Sequence, residues 1–149
     1  MKALHIVRRT VAYLWAGPNT LLGLMAGLLV LAFGGRAQIV RGVIEFHGGL
    51  IAALCAALPG SLRFSAVTFG HVILGVGAPA LVAAREHEHV HVRQYETSGP
   101  FFLMAYSASS AWEFLRGNCP YRDNYFERCA YSAMELPPDG KASGRSTMR

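Results

Sequence analysis

Charge is scarce in this chain. Only 15% of its 149 residues are charged, 14 basic against 9 acidic, for a formal net charge of +5. The basic residues are spread thinly, with Lys2, Arg8 and Arg9 near the start and Arg145 and Arg149 at the end. No basic stripe with interleaved aromatics occurs, which argues against nucleic acid as a partner. Cysteine is scarce too: Cys55, Cys119 and Cys129 are an odd number without paired spacing, so a disulfide framework is not expected and one Cys119–Cys129 bridge is the most the pattern allows. No internal repeat is present. Long unbroken apolar runs are also missing. Val11 to Phe33 carries no charge and is long enough to cross ~30 Å of hydrocarbon as a helix, but Pro18 and Asn19 interrupt it.

What the chain has in quantity is apolar surface. Apolar residues make up 52%, enough for one modest core at this length and a balance tilted towards membrane contact. The dispersed positive charge suits anionic lipid headgroups. Three readings compete for residues 1–35: a transmembrane anchor, a cleaved signal peptide, and a helix buried in a soluble core. The anchor is the expectation, because proline is tolerated in membrane helices and no small-x-small cleavage site follows the apolar stretch. Lys2, Arg8 and Arg9 before the run, against Arg36 and Arg41 after it, favour an N-terminus inside.

The most informative stretch is Arg85-Glu86-His87-Glu88-His89-Val90-His91-Val92-Arg93-Gln94-Tyr95. It contains His-Glu-x-x-His as His87, Glu88 and His91. On a helix the two histidines stand one turn apart on one face, the spacing at which two imidazoles grip one metal ion. Glu88 then lies close enough to take a proton from a metal-activated water, yet points too far round to be a ligand. A third ligand completes such a site, with Glu127 the leading candidate and Asp123, His71, Cys119 and Cys129 as rivals. Asp123 or Asn124 reads as the N-cap of the helix carrying Glu127. Arg93 and Gln94 are candidates to orient an imidazole or a carboxylate. Tyr131, Tyr125, Tyr106 and His71 are candidates to stabilise an oxyanion. His47 and His71 are otherwise ordinary structural histidines.

His87-Glu88-x-x-His91 followed by Asn124-x-x-Glu127-x-x-Ala130 resembles the gluzincin class of zinc metallopeptidases. The resemblance extends to a small bacterial family of minimal gluzincin-like proteins. It is carried by Tyr13-Leu14-Trp15, Pro18 to Leu24, Thr68-Phe69-Gly70-His71, His87 to Tyr95, Gly99-Pro100 and Tyr121-Arg122-Asp123-Asn124. It implies Zn²⁺ held by His87, His91 and Glu127, with Glu88 as general base and a peptide or protein as substrate. It also implies a zincin-like domain in which a strand runs beside the metal helix, and a bacterial membrane-associated location, taken as the inner membrane. The pattern carries no clear His or Tyr motif for the oxyanion. Two other readings stand beside it: a membrane-anchored protein whose zinc site is structural or vestigial, and a di-iron bundle, which needs a second Glu-x-x-His that the chain lacks.

The expected fold class is α+β. Ala37 to Val40 and Val43 to Phe46 read as strands around Arg41-Gly42, and Leu50 to Leu58 as a short apolar helix. Arg63 to Val76 reads as one or two strands broken at Gly70. The motif helix opens at Pro79 or Ala80 and stops at Ser98-Gly99-Pro100. Further helices are expected over Phe101 to Arg116 and Asn124 to Leu136. The organisation so read is an N-terminal hydrophobic segment (1–35), a zincin-like domain (36–136) and a disordered tail (137–149).

Overall fold

Side-chain alternation along four short strands decides the architecture. The computed structural model describes residues 2–60 and 63–135; the expected tail lies outside them. The chain divides into two units, Met1–Ala105 and Tyr106–Arg149. In the first, β1 (Arg36–Val40) and β2 (Val43–His47) form an antiparallel hairpin with Val40 opposite Val43. Arg41 and Gly42 both take positive φ, 51° and 83°. Such a two-residue turn has the twist of its flanking strands and favours glycine for that reason. β3 (Ala66–Phe69) and β4 (Val72–Gly75) form a second hairpin around Gly70-His71. β4 also pairs in parallel with β2, giving the order β1-β2-β4-β3. A parallel pair needs a crossover connection, and α3 (Gly49–Ala57) lies within it.

Both faces of this sheet are covered. On one lies α2 (Gly17–Ala32), over a core of Val30, Phe46, Val72 and Leu74 joined by Ile44, Val67 and Phe69. Gly23 and Gly27 let the helix approach closely: a Cβ at Gly27 would sit 2.3 Å from the Phe46 ring, and one at Gly23 2.7 Å from Val72 Cβ. The uncharged N-terminal run is not one helix. α1 (Lys2–Trp15) and α2 meet at a bend of 65°, with Pro18 in the first turn of α2, and no single helix among the described residues is long and apolar enough to cross a membrane. Residues 17–32 are a layer of the first unit, covering the sheet.

The other face is covered by α4 (Ala78–Ser98), over Val43, Ile73, Leu81 and Val92. Strand alternation puts Glu45 and Thr68 on this side. Glu45 is fully buried, and Arg85 holds it with Nε and Nη2 at 2.8 and 2.9 Å, while Gln38 Nε2 donates at 2.6 Å. α4 starts with Pro79 in its first turn and ends at Gly99, whose φ is 56°. Buried Asn19 donates to Gly99 O at 3.0 Å, tying the start of α2 to the end of α4.

Most of α5 (Phe102–Leu115) and all of α6 (Tyr125–Glu135) belong to the second unit. Asn124 is the N-cap of α6, as one of the two sequence candidates. Its Oδ1 accepts from Phe126 N–H at 2.9 Å, and its Nδ2 donates to Tyr106 O and Ser110 Oγ at 3.0 and 2.7 Å. All three cysteines are free. The class is α+β, as expected, with a mixed sheet.

Candidate metal centre

α4 is long enough that the His-Glu-x-x-His segment falls in its middle, pressed on the sheet rather than at a frayed end. His87, Glu88, His89 and His91 are all buried. One helical turn brings His87 Nε2 and His91 Nε2 to 3.0 Å, with the rings near perpendicular. His91 Nδ1 lies 2.8 Å from Gln94 Oε1. An amide oxygen only accepts, so Nδ1 carries the proton and Nε2 keeps its lone pair for a ligand.

Glu88 is positioned by the sheet. Thr68 Oγ1 donates to Glu88 Oε2 at 2.7 Å, and Tyr95 Oη donates to Thr68 O at 3.1 Å. Burial holds the Tyr95 hydroxyl well above its ordinary pKa, so it remains a donor. Thr68 carries no motif that marks it as a site residue. The available signal was the alternation along β3, which sets Thr68 on the same side as Ala66, against α4.

Glu127 is the third residue of α6, where a carboxylate suits the helix N-terminus, and Tyr106 Oη donates to its Oε1 at 2.7 Å. Its place follows from the Asn124 cap, which fixes where α6 begins. His87, His91 and Glu127 are each buried and each offer one ligand atom within 4.8 Å of the others. Among the described residues this is the one group of three or more such side chains. The donor chemistry fits a cation: two imidazole nitrogens at 3.0 Å are near the ~3.3 Å edge set by ~2.0 Å bonds in a tetrahedron. A buried carboxylate beside two imidazoles is also a donor set that suits a divalent ion. A buried His-His-Glu group that can hold a metal ion is therefore present.

The other residues named from sequence fall elsewhere. His71 is buried in the β3–β4 turn, stacked on Tyr13 at 3.8 Å, with its backbone N–H on Thr20 Oγ1 and its Nε2 3.1 Å from Glu96 Oε1. It is outside the His-His-Glu group. Arg93 is exposed on α4. Tyr131 is exposed on α6 and hydrogen-bonds Tyr121, whose hydroxyl pKa burial and that bond push up. Asp123 Oδ2 accepts from Cys119 N–H at 2.8 Å in the turn before α6, and Cys129 interacts with Tyr125. His89 is the third buried histidine of α4. Burial and then the Arg41 charge hold its pKa down, and its Nε2 has no hydrogen-bond partner among the described residues.

Comparison with protein-family models, curated proteins and solved structures finds no match for this chain.

Proposed function

We propose that the chain is a zinc-dependent hydrolase of peptide bonds with a zincin-like arrangement. The observation that carries the reading is the convergence of buried His87, His91 and Glu127 ligand atoms within 4.8 Å, with Glu88 next to His87 in sequence and held by Thr68. Zn²⁺ suits two imidazoles and a carboxylate, and when bound it supplies Lewis acidity that polarises a carbonyl and brings the pKa of water near 7. Glu88 takes the proton of the attacking water and passes it to the leaving amine. Thr68 keeps that carboxylate in one rotamer, and Gln94 keeps His91 in the tautomer whose Nε2 faces His87. Of the groups named for an oxyanion, Tyr106 is the one whose hydroxyl touches the ligand set, donating to Glu127 Oε1.

The test separates metal binding from turnover. Purified protein should carry about one zinc by elemental analysis, and His87→Ala and Glu127→Ala should lose it. Glu88→Gln should keep zinc and fold while abolishing cleavage of a fluorogenic peptide library. Unchanged zinc in His87→Ala overturns the ligand assignment. Zinc binding with no cleavage in either wild type or Glu88→Gln leaves a structural site on the same residues and overturns the hydrolase.

A further inference from the structure

The outer face of α2 is more apolar than a surface in water explains. Leu21, Leu22, Met25, Leu28 and Leu29 are each more than half exposed, while Asn19, Gly23, Gly27 and Val30 on the opposite side are buried against the first unit. α1 carries an apolar stripe of its own, exposed Val7, Val11 and Leu14 at helical spacing. No charged residue occurs between Thr10 and Gly35. Exposed Arg8, Arg9 and Arg36 bracket that run. No acidic residue occurs before Glu45, which is itself buried against Arg85. The charges that flank this run along the chain are therefore of one sign, and Glu96, held at His71 beside Tyr13, is an acidic group that packing brings near α1.

These observations point to a bilayer surface as the occupant, and they also fix how it is met. α2 has 16 residues, about 24 Å of helix, short of the ~30 Å hydrocarbon core. One side of it is committed to the sheet, so lipid cannot surround it. We infer that α1 and α2 lie in the plane of one leaflet of an anionic membrane, with the Leu21–Leu29 face among the acyl chains and the flanking arginines at the phosphates. This is monotopic seating and replaces the expected transmembrane anchor. It uses surface that the hydrolase reading leaves idle and does not rest on that reading.

Sedimentation with vesicles tests the occupant. The full chain should pellet with phosphatidylglycerol vesicles and bind phosphatidylcholine vesicles far more weakly. Leu21→Glu/Leu28→Glu should weaken binding by about a hundredfold or more, with an unchanged melting temperature because both side chains are already exposed. Arg8→Gln/Arg36→Gln should weaken it by about an order of magnitude at low salt, and the difference should vanish in high salt. Wild type left in the supernatant with both vesicle types overturns the inference, as does equal binding by the leucine variant. A stable dimer that leaves vesicles unbound would assign the face to a second copy instead.

Depth measurement tests the orientation. Spin labels on Leu21→Cys and on Leu28→Cys, in a Cys55→Ala/Cys119→Ser/Cys129→Ser background, should report the same shallow depth in phosphatidylglycerol bilayers, ~5–10 Å below the headgroups. A depth difference near the ~10 Å that separates the two positions along the helix means a spanning helix and overturns the in-plane seating.

Discussion

The two faces of the sheet are built from opposite materials. The α2 face packs Phe46 and Val72 against two glycines and clusters them with Val30 and Leu74, with hydrophobic side chains throughout. The α4 face sets Glu45, Thr68, Arg85 and Glu88 in hydrogen bonds just beside Val43, Ile73 and Leu81. Strand alternation makes the division possible, since successive residues of β2 and β3 point to opposite sides. The lesson concerns how polar groups enter a core. On the α4 face Glu45 and Glu88 enter only with donors attached, because an unpaired buried charge costs several kcal/mol.

The largest break in this comparison should come from Arg85→Met. It leaves Glu45 buried with only Gln38 as donor, and chemical denaturation at pH 7 should show a loss of ~3–5 kcal/mol. Its pH dependence should also invert. In the wild type burial pushes the Glu45 pKa up, but hydrogen bonds from Arg85 and Gln38 and the Arg85 charge outweigh it, so the pKa lies below the usual carboxylate value. That stability is present above ordinary carboxylate pKa values and is lost as pH falls through the folded-state pKa. Without Arg85 burial dominates, the folded pKa rises, and stability should instead fall as pH rises through the carboxylate range.

On the apolar face, Gly23→Leu should cost ~1–3 kcal/mol by overpacking against Val72 and the Phe69 carbonyl, despite leucine's better helix propensity. A melting temperature equal to or above wild type would show that α2 is not pressed on the sheet. Thr68→Val is next: removing the donor to buried Glu88 should cost ~1–3 kcal/mol in urea denaturation, while metal content stays equal to that of the wild type and Thr68→Ser restores stability. The smallest effect is Leu28→Gln on the outer side of α2. Its stability in detergent-free buffer should change by less than ~0.5 kcal/mol, which contrasts the exposed surface of that helix with its packed side.

The first hairpin, α3, α4 and the two downstream helices could be read from the sequence, because their signals are local, whereas Arg63 to Val76 could be read only as one or two strands broken at Gly70. Arg41-Gly42 and Gly70 mark turns, Pro79 and Gly99 bound α4, and Asn124 caps α6. His87, Glu88 and His91 were legible for the same reason, since one helical turn fixes their separation. Thr68 was not, because its partner Glu88 is twenty residues away and only the packing of α4 on β3 brings them together. His71 was a rival ligand on composition, yet Tyr13, Thr20 and Glu96 occupy it from three separate elements.

The N-terminal run shows the boundary most sharply. Its lack of charge is a property of the sequence and says that water is a poor solvent for it. Whether lipid or protein covers each side depends on where glycines meet another surface, and Gly23 and Gly27 meet Val72 and Phe46 only once the sheet exists. Local spacing therefore determined the helices, the turns and the paired imidazoles. Long-range packing decided which side of α2 is buried and which carboxylates are held, because those contacts join residues that no periodicity relates.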